Sequence, residues 1–110
     1  MATRSMIGRC YGNGVIKAIY CHWDGHPDTR MPILQEVYDN MHKVNKLLEE
    51  GDISILSSVS QGGNELLNSP AIIYKRYADY LQACEDLDCE YSYLFDGFIW
   101  RFAKVGRLCW

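Results

Sequence analysis

The sequence predicts an α+β fold: one antiparallel sheet of about four strands from two hairpins, with about three helices inserted between them and packed on one face. Three observations carry that prediction. Asn13-Gly14 and Asp96-Gly97 are hairpin-turn dipeptides flanked by apolar alternation. Between them, apolar residues recur at helical spacing over 31–48 and again over 73–84. The chain has 110 residues, the length of a single domain, taken as 1–110.

The elements follow in order. Residues 4–11, with Met6 and Ile7, read as a short strand leading into Gly12-Asn13-Gly14. Val15 to Trp23 is the return strand. Its odd positions (Val15, Lys17, Ile19, Cys21, Trp23) share one face, and Ile16, Ala18, Tyr20 and His22 share the other. Both faces are largely apolar, which predicts a central strand covered on at least one side. A two-residue Asn13-Gly14 turn would set Cys10 opposite Lys17, roughly 13 Å along the strand from Cys21. Asp24-Gly25-His26-Pro27 ends the strand.

A helix is expected from Met31-Pro32, carrying Ile33, Leu34, Val37 and Tyr38. Asp39-Asn40 is a corner at which Asn40 can cap a second helix. That helix has the stripe Met41, Val44, Leu47 and Leu48, and Gly51 stops it. Residues 52–56 read as a short extended or single-turn piece, and 57–68 as a loop. Ser69-Pro70 reads as the start of a third helix with Ile73, Tyr77, Tyr80, Leu81 and Cys84 on its buried stripe and a Lys75–Asp79 pair on its wet face. Cys89 to Phe95 and Phe98 to Ala103 alternate about Asp96-Gly97 as the second hairpin, and the apolar tail to Trp110 is placed against the sheet.

Composition narrows the function classes. Apolar residues are 48% and charged residues 23%, an ordinary globular balance. Eleven basic against fourteen acidic residues give a net charge of −3, which argues against a generic nucleic-acid binder but leaves room for a local basic patch. No apolar run is long enough for a membrane span, and Met1 to Ser5 lead into no signal core, so a cytoplasmic location is expected. Gly12, Gly14, Gly62 and Gly63 form no phosphate-loop pattern.

Five cysteines (Cys10, Cys21, Cys84, Cys89, Cys109) occur without a Cys-x-x-Cys pair, and the odd count argues against a disulfide framework. The one dense cluster of potential ligands is Cys21-His22-Trp23-Asp24-Gly25-His26. Cys21, His22 and His26 are therefore the candidate zinc ligands, since thiolate and imidazole are the preferred donors of a structural site. Strand geometry sends Cys21 and His22 to opposite faces, so Cys21 with His26 and a further ligand such as Cys89 is the easier set. Two other readings of the box stay open. Cys21 can be a small buried hydrophobe beside a hydrogen-bonded His22, or a nucleophile with His22 or His42 as base.

The segment Tyr20-Cys21-His22-Trp23-Asp24-Gly25 resembles a family of small bacteriophage and prophage proteins with a Tyr-Cys-His-Trp-Asp-Gly-Tyr-Pro box. The family's Gly-Asp-Ile-Ser-Ser-Leu segment is matched by Gly51-Asp52-Ile53-Ser54-Ile55-Leu56. Its closing Glu-Tyr-x-Tyr-Leu-Phe-Asp-Gly is matched by Glu90 to Gly97, followed by Trp100. His26 departs from the pattern, which has Tyr there. The resemblance implies a phage gene product. By analogy with small acidic phage proteins, it implies an inhibitor of host defence that binds a CRISPR effector nuclease, an anti-CRISPR protein, rather than an enzyme.

On that reading Trp23, Asp24, Tyr91 and Tyr93 are the expected partner-binding residues, because aromatic side chains anchor interfaces. Acidic groups such as Glu85, Asp86 and Asp88 would face a basic channel. The aromatics of the second hairpin fit core packing better than a single-strand stacking platform, because few basic residues accompany them. Tyr74, Tyr77 and Tyr80 suit core or interface equally. The alternative class is a thiol- or metal-dependent enzyme on the Cys21-His22 box, and single-strand binding through the second hairpin is a third.

Overall fold

The first hairpin forms where the Asn-Gly signal puts it, in a computed structural model that describes residues 3–23, 25–54, 56, 67 and 69–105. β1 (Ser5–Cys10) and β2 (Ile16–Cys21) pair antiparallel. Their loop is one residue longer than expected. The Tyr11 amide donates to the Val15 carbonyl at 2.8 Å, and Gly14 takes the positive φ of +85° that closes the turn. The register shifts with it: Cys10 faces Ile16, and Lys17 faces Arg9.

α1 (Pro27–Val37) begins earlier than its apolar spacing indicates, because the His26 side chain caps it by accepting from the Asp28 amide at 3.2 Å. α2 (Met41–Glu50) starts at the expected cap, where Asn40 Oδ1 accepts from the Lys43 amide at 3.0 Å, and ends at Gly51. Its buried stripe is Val44, Leu47 and Leu48. Met41, expected in that stripe, is instead 41% exposed.

The expected third helix is a correction. Residues 72–74 form an edge strand, β3 (Ile72–Tyr74), and α3 (Tyr77–Asp86) begins only after it. Two β-branched residues and a tyrosine find an open edge on β2 and pair with it antiparallel, overriding the local Ser-Pro helix signal. Ile73 therefore lies out on β3 rather than on a buried helical stripe. Asp79 pairs with Arg76 at 3.2 Å, not with Lys75.

β4 (Tyr91–Phe95) and β5 (Trp100–Lys104) form the second hairpin. Its turn spans 96–99: the Asp96 amide donates to the Ile99 carbonyl at 3.2 Å. With β3 on the outer edge of β2, the second hairpin docks on the free edge of β1. The Glu90 amide donates to the Arg4 carbonyl at 2.8 Å, so β4 enters alongside the start of β1 and the two run parallel. The sheet is thus five-stranded and mixed, ordered β3-β2-β1-β4-β5, where an all-antiparallel sheet of about four strands was expected. The α+β class holds.

The helices cover both faces, not one. On one face α1 and α2 pack Leu34, Val44, Leu47 and Leu48 against Ile7, Ile19, Phe95 and Trp100. On the other, Tyr80 and Cys84 of α3 pack against Met6, Ile16 and Ala18. This division follows the odd–even alternation of β2, whose two apolar faces each need a cover. Tyr80 reaches across to share a hydrogen bond between its hydroxyl and that of buried Ser92. No helix among the described residues is long and apolar enough to cross a membrane. The expected 57–68 loop, apart from Leu67, and the tail beyond Val105 lie outside the described residues.

The stripe of α2 makes a test that separates pattern from packing. Leu47→Ala should cost about 2–5 kcal/mol, the range for a fully buried leucine. Met41→Ala should stay within about 0.5 kcal/mol, as for an exposed site. Urea unfolding of both variants reads the difference; equal losses would contradict the packing described.

Candidate functional site

The box at the exit of β2 is built by strand zipping. The Tyr20 amide donates to Asp52 Oδ1 at 2.8 Å, and the Ile53 amide to the Tyr20 carbonyl at 2.9 Å. Then the His22 amide donates to the Ile53 carbonyl at 3.3 Å, and the Trp23 amide to the Ser54 carbonyl at 2.8 Å. Residues 51–54 thus run parallel beside 20–23, bridged at Cys21 and Ile53. Burial of Asp52 raises its carboxyl above the usual range, partly offset by the Tyr20 amide.

Gly25 follows at a point of close approach. Its amide donates to the Thr3 carbonyl at 2.9 Å, and a side chain there would sit 2.5 Å from that oxygen. The Tyr93 hydroxyl donates to the Gly25 carbonyl. The His26 ring packs edge-on against Tyr91, with centroids 5.4 Å apart. Residues 20–23, 51–54 and 90–93 therefore come together at this end of the sheet.

Beneath the box lies a residue that the sequence reading passed over. Arg30 of α1 is 1% exposed. One guanidinium nitrogen donates to the Trp23 carbonyl at 2.8 Å and the other to Ser5 Oγ at 3.4 Å. The guanidinium also stands 5.9 Å from the centre of the Tyr93 ring. A signal for it exists: Arg30, Leu34 and Tyr38 are spaced i, i+4, i+8, so the arginine occupies the apolar stripe of α1.

The three candidate zinc ligands go separate ways. Cys21 is fully buried and faces α1 and α2, its thiol directed at the Trp23 carbonyl at 3.5 Å and the Ser54 carbonyl at 3.8 Å. His22 lies on the opposite face, with Nδ1 2.8 Å from the Tyr20 hydroxyl and its ring edge-on to Trp23 at 4.7 Å. His26 Nδ1 is engaged in capping α1. Among the described residues, no three histidine, cysteine or acidic side chains converge as a metal-binding group.

A nucleophilic Cys21 meets the same geometry. Burial pushes its thiol up, against the opposing pull of Arg30, and His22 is across the sheet. Cys84 and Cys89 are buried as well, while Cys10 is half-buried, its thiol raised by burial and by Asp96. Burial raises Cys84 to about 11 and Cys89 to about 12. These are the values of core thiols, not of activated ones.

The expected partner-binding residues are also divided. Trp23 is 45% exposed and Tyr91 half-buried, whereas Tyr93 is fully buried and serves the fold. Asp24 lies outside the described residues, as does Cys109. A surface that the sequence reading did not single out stands at the far end of the sheet. Phe98, at the β4–β5 turn, is 88% exposed, with Ile99 beside it. The turn is held by Asp96, whose carboxylate accepts from the Phe98 amide at 2.8 Å, the Ile99 amide at 2.9 Å and Arg101 Nε at 3.2 Å. The backbone donors hold the Asp96 carboxyl below its usual range. Phe98 and Ile99 wall a cleft of about 200 Å³ against Gln35 and Asp39 of the α1–α2 corner.

Comparison of the chain with protein-family profiles, with curated proteins and with solved structures gives no match.

The thiol environments give a direct expectation. At pH 8 iodoacetamide should leave Cys21, Cys84 and Cys89 unlabelled in the folded protein and label them in denaturant. Peptide mass spectrometry reads this, and rapid native labelling of Cys21 would show an accessible, activated thiol.

Proposed function

We propose that the protein acts by binding another protein, as a phage-type inhibitor of host defence whose partner is a CRISPR effector nuclease. The observation that carries the binding reading is the β4–β5 turn. Phe98, Ile99 and Met41 leave apolar area in water around one turn, and a contiguous exposed apolar patch marks an interaction site. Phe98 is also preorganised: the three hydrogen bonds accepted by Asp96 hold the turn before any partner arrives, so less conformational freedom is lost on docking. Ile99 and Met41, 53% and 41% exposed, extend the apolar area around it.

The host-defence assignment rests on the phage-family resemblance and on charge. Glu85, Asp86, Asp88 and Glu90 are all exposed around the end of α3, and an acidic surface complements the basic nucleic-acid channel of an effector nuclease. The buried state of Cys21 and its separation from His22 favour binding over thiol chemistry. Elemental analysis of the native chain decides the structural-zinc reading by itself: about one zinc per chain supports it.

The test is protection of a targeted plasmid in cells carrying an active CRISPR effector, across a panel of effector types. The wild-type chain should restore plasmid survival against at least one type. Phe98→Asp should abolish protection with an unchanged unfolding curve, because losing a central aromatic anchor weakens binding by about 2 kcal/mol or more, roughly 30-fold. Failure of the wild-type chain across the panel would refute the assignment, and full protection by Phe98→Asp would refute the surface.

A further inference from the structure

We propose that the cleft beside the β1–β2 turn binds a nucleotide, with Lys17 holding its phosphate. The cleft has a volume of about 570 Å³ and is lined by Tyr11, Gly12, Asn13, Val15, Lys17 and Ile73. It is an open depression, mostly apolar with a few polar groups, and its volume falls in the range of small-molecule sites.

The charges at this place point to an anion. Arg9 and Lys17 lie directly opposite each other on adjacent antiparallel strands, hence on the same face of the sheet. Like charges so placed repel. Among the described residues no acidic group pairs with either: Arg9, which lies beside the cleft rather than in its lining, donates to the neutral Asn45 Oδ1 at 3.0 Å and stacks 4.3 Å over the Tyr11 ring. Its Nε is buried and has no hydrogen-bond partner among the described residues. Neither Arg9 nor Lys17 belongs to an ion pair among those residues. In a chain of net charge −3, two adjacent uncompensated cations are a local exception. A bound phosphate supplies the missing charge.

The apolar walls point to the rest of the ligand. Ile73 is 61% exposed on the edge strand β3, directly opposite Lys17, and it lines the cleft with Val15 and Tyr11. A flat heterocycle covers such a surface and stacks on the tyrosine. Asn13 Oδ1 accepts from the Val15 amide at 3.2 Å, which leaves its amide nitrogen to donate to the ligand. Recognition here is by side chains rather than by a glycine phosphate loop, which is why the glycine pattern carries no sign of it.

The experiment is a titration of the ¹⁵N-labelled full chain, followed by amide shifts. AMP and a short oligoadenylate are the probes, with inorganic phosphate in parallel. AMP should shift the amides of residues 11–17 saturably. Lys17→Gln should weaken binding at least about 10-fold, the loss of one charge-assisted contact, while Lys17→Arg retains it and amides elsewhere stay in place. Tighter binding of AMP assigns a free nucleotide, and tighter binding of the oligomer at the same amides assigns a nucleotide unit of a single strand. The proposal fails if neither probe shifts these amides by about 5 mM, if inorganic phosphate binds as well as AMP, or if Lys17→Gln binds AMP like the wild type.

Discussion

A buried cation organises one end of this protein. Arg30 is removed from water at a cost of several kcal/mol for an ion of its size, and contacts to three strands offset part of that cost. Its guanidinium reaches the Trp23 carbonyl beyond the end of β2, the Ser5 hydroxyl at the start of β1, and the face of Tyr93 in the middle of β4. One side chain of α1 thereby ties together three adjacent strands. The neighbouring bonds depend on the same geometry. Tyr93 donates to the Gly25 carbonyl, Gly25 fits only without a side chain against Thr3, and Trp23 is held in line to pair with Ser54. Cys21 sits within this arrangement as a buried thiol beside a fixed positive charge.

How much of this was legible in the sequence depends on the range of the forces involved. The alternation of β2, the Asn40 cap and Gly51 stop of α2, and the existence of the second hairpin are local signals that the structure contains, although the β4–β5 turn is two residues longer than Asp96-Gly97 alone. The arrangement of those elements is not local. Whether 72–74 become strand or helix is decided by the open edge of β2, a partner some fifty residues away in sequence. The parallel pairing of β1 with β4 follows from where α3 delivers the chain. The apolar even positions of β2 signal a second covered face, which α3 supplies, where a one-faced helix layer is the simpler expectation.

The site was legible in its residue types and less so in its roles. Period-two geometry already separated Cys21 from His22, and the structure keeps them on opposite faces. The burial of Tyr93 could not be read from alternation alone, because Tyr91 shares its parity on β4 and is only half-buried. Phe98 alternates like a strand residue, yet it belongs to the turn, and exposure of a turn residue leaves no periodic trace. Arg30 was hidden for the opposite reason: an arginine in an apolar stripe is easily taken for surface until its partners are known. The like-charged pair of Arg9 and Lys17 depends on hairpin register, which shifted by one residue when the turn took three residues rather than two.

The two ends of the sheet thus differ in character. The end bearing the Cys21–His26 box is tightly bonded within the fold, while the end bearing the two hairpin turns presents an apolar tip and a cleft lined by Lys17 to solvent. Arg30 is the clamp of the first end. The most direct measurement is the unfolding free energy of Arg30→Met, with amide hydrogen exchange at residues 20–25. Methionine keeps much of the side-chain volume and removes the donors, so the account predicts a loss of about 1–3 kcal/mol from the stranded polar groups and faster exchange at Trp23 and Gly25. Unchanged stability with unchanged exchange at those amides would contradict it.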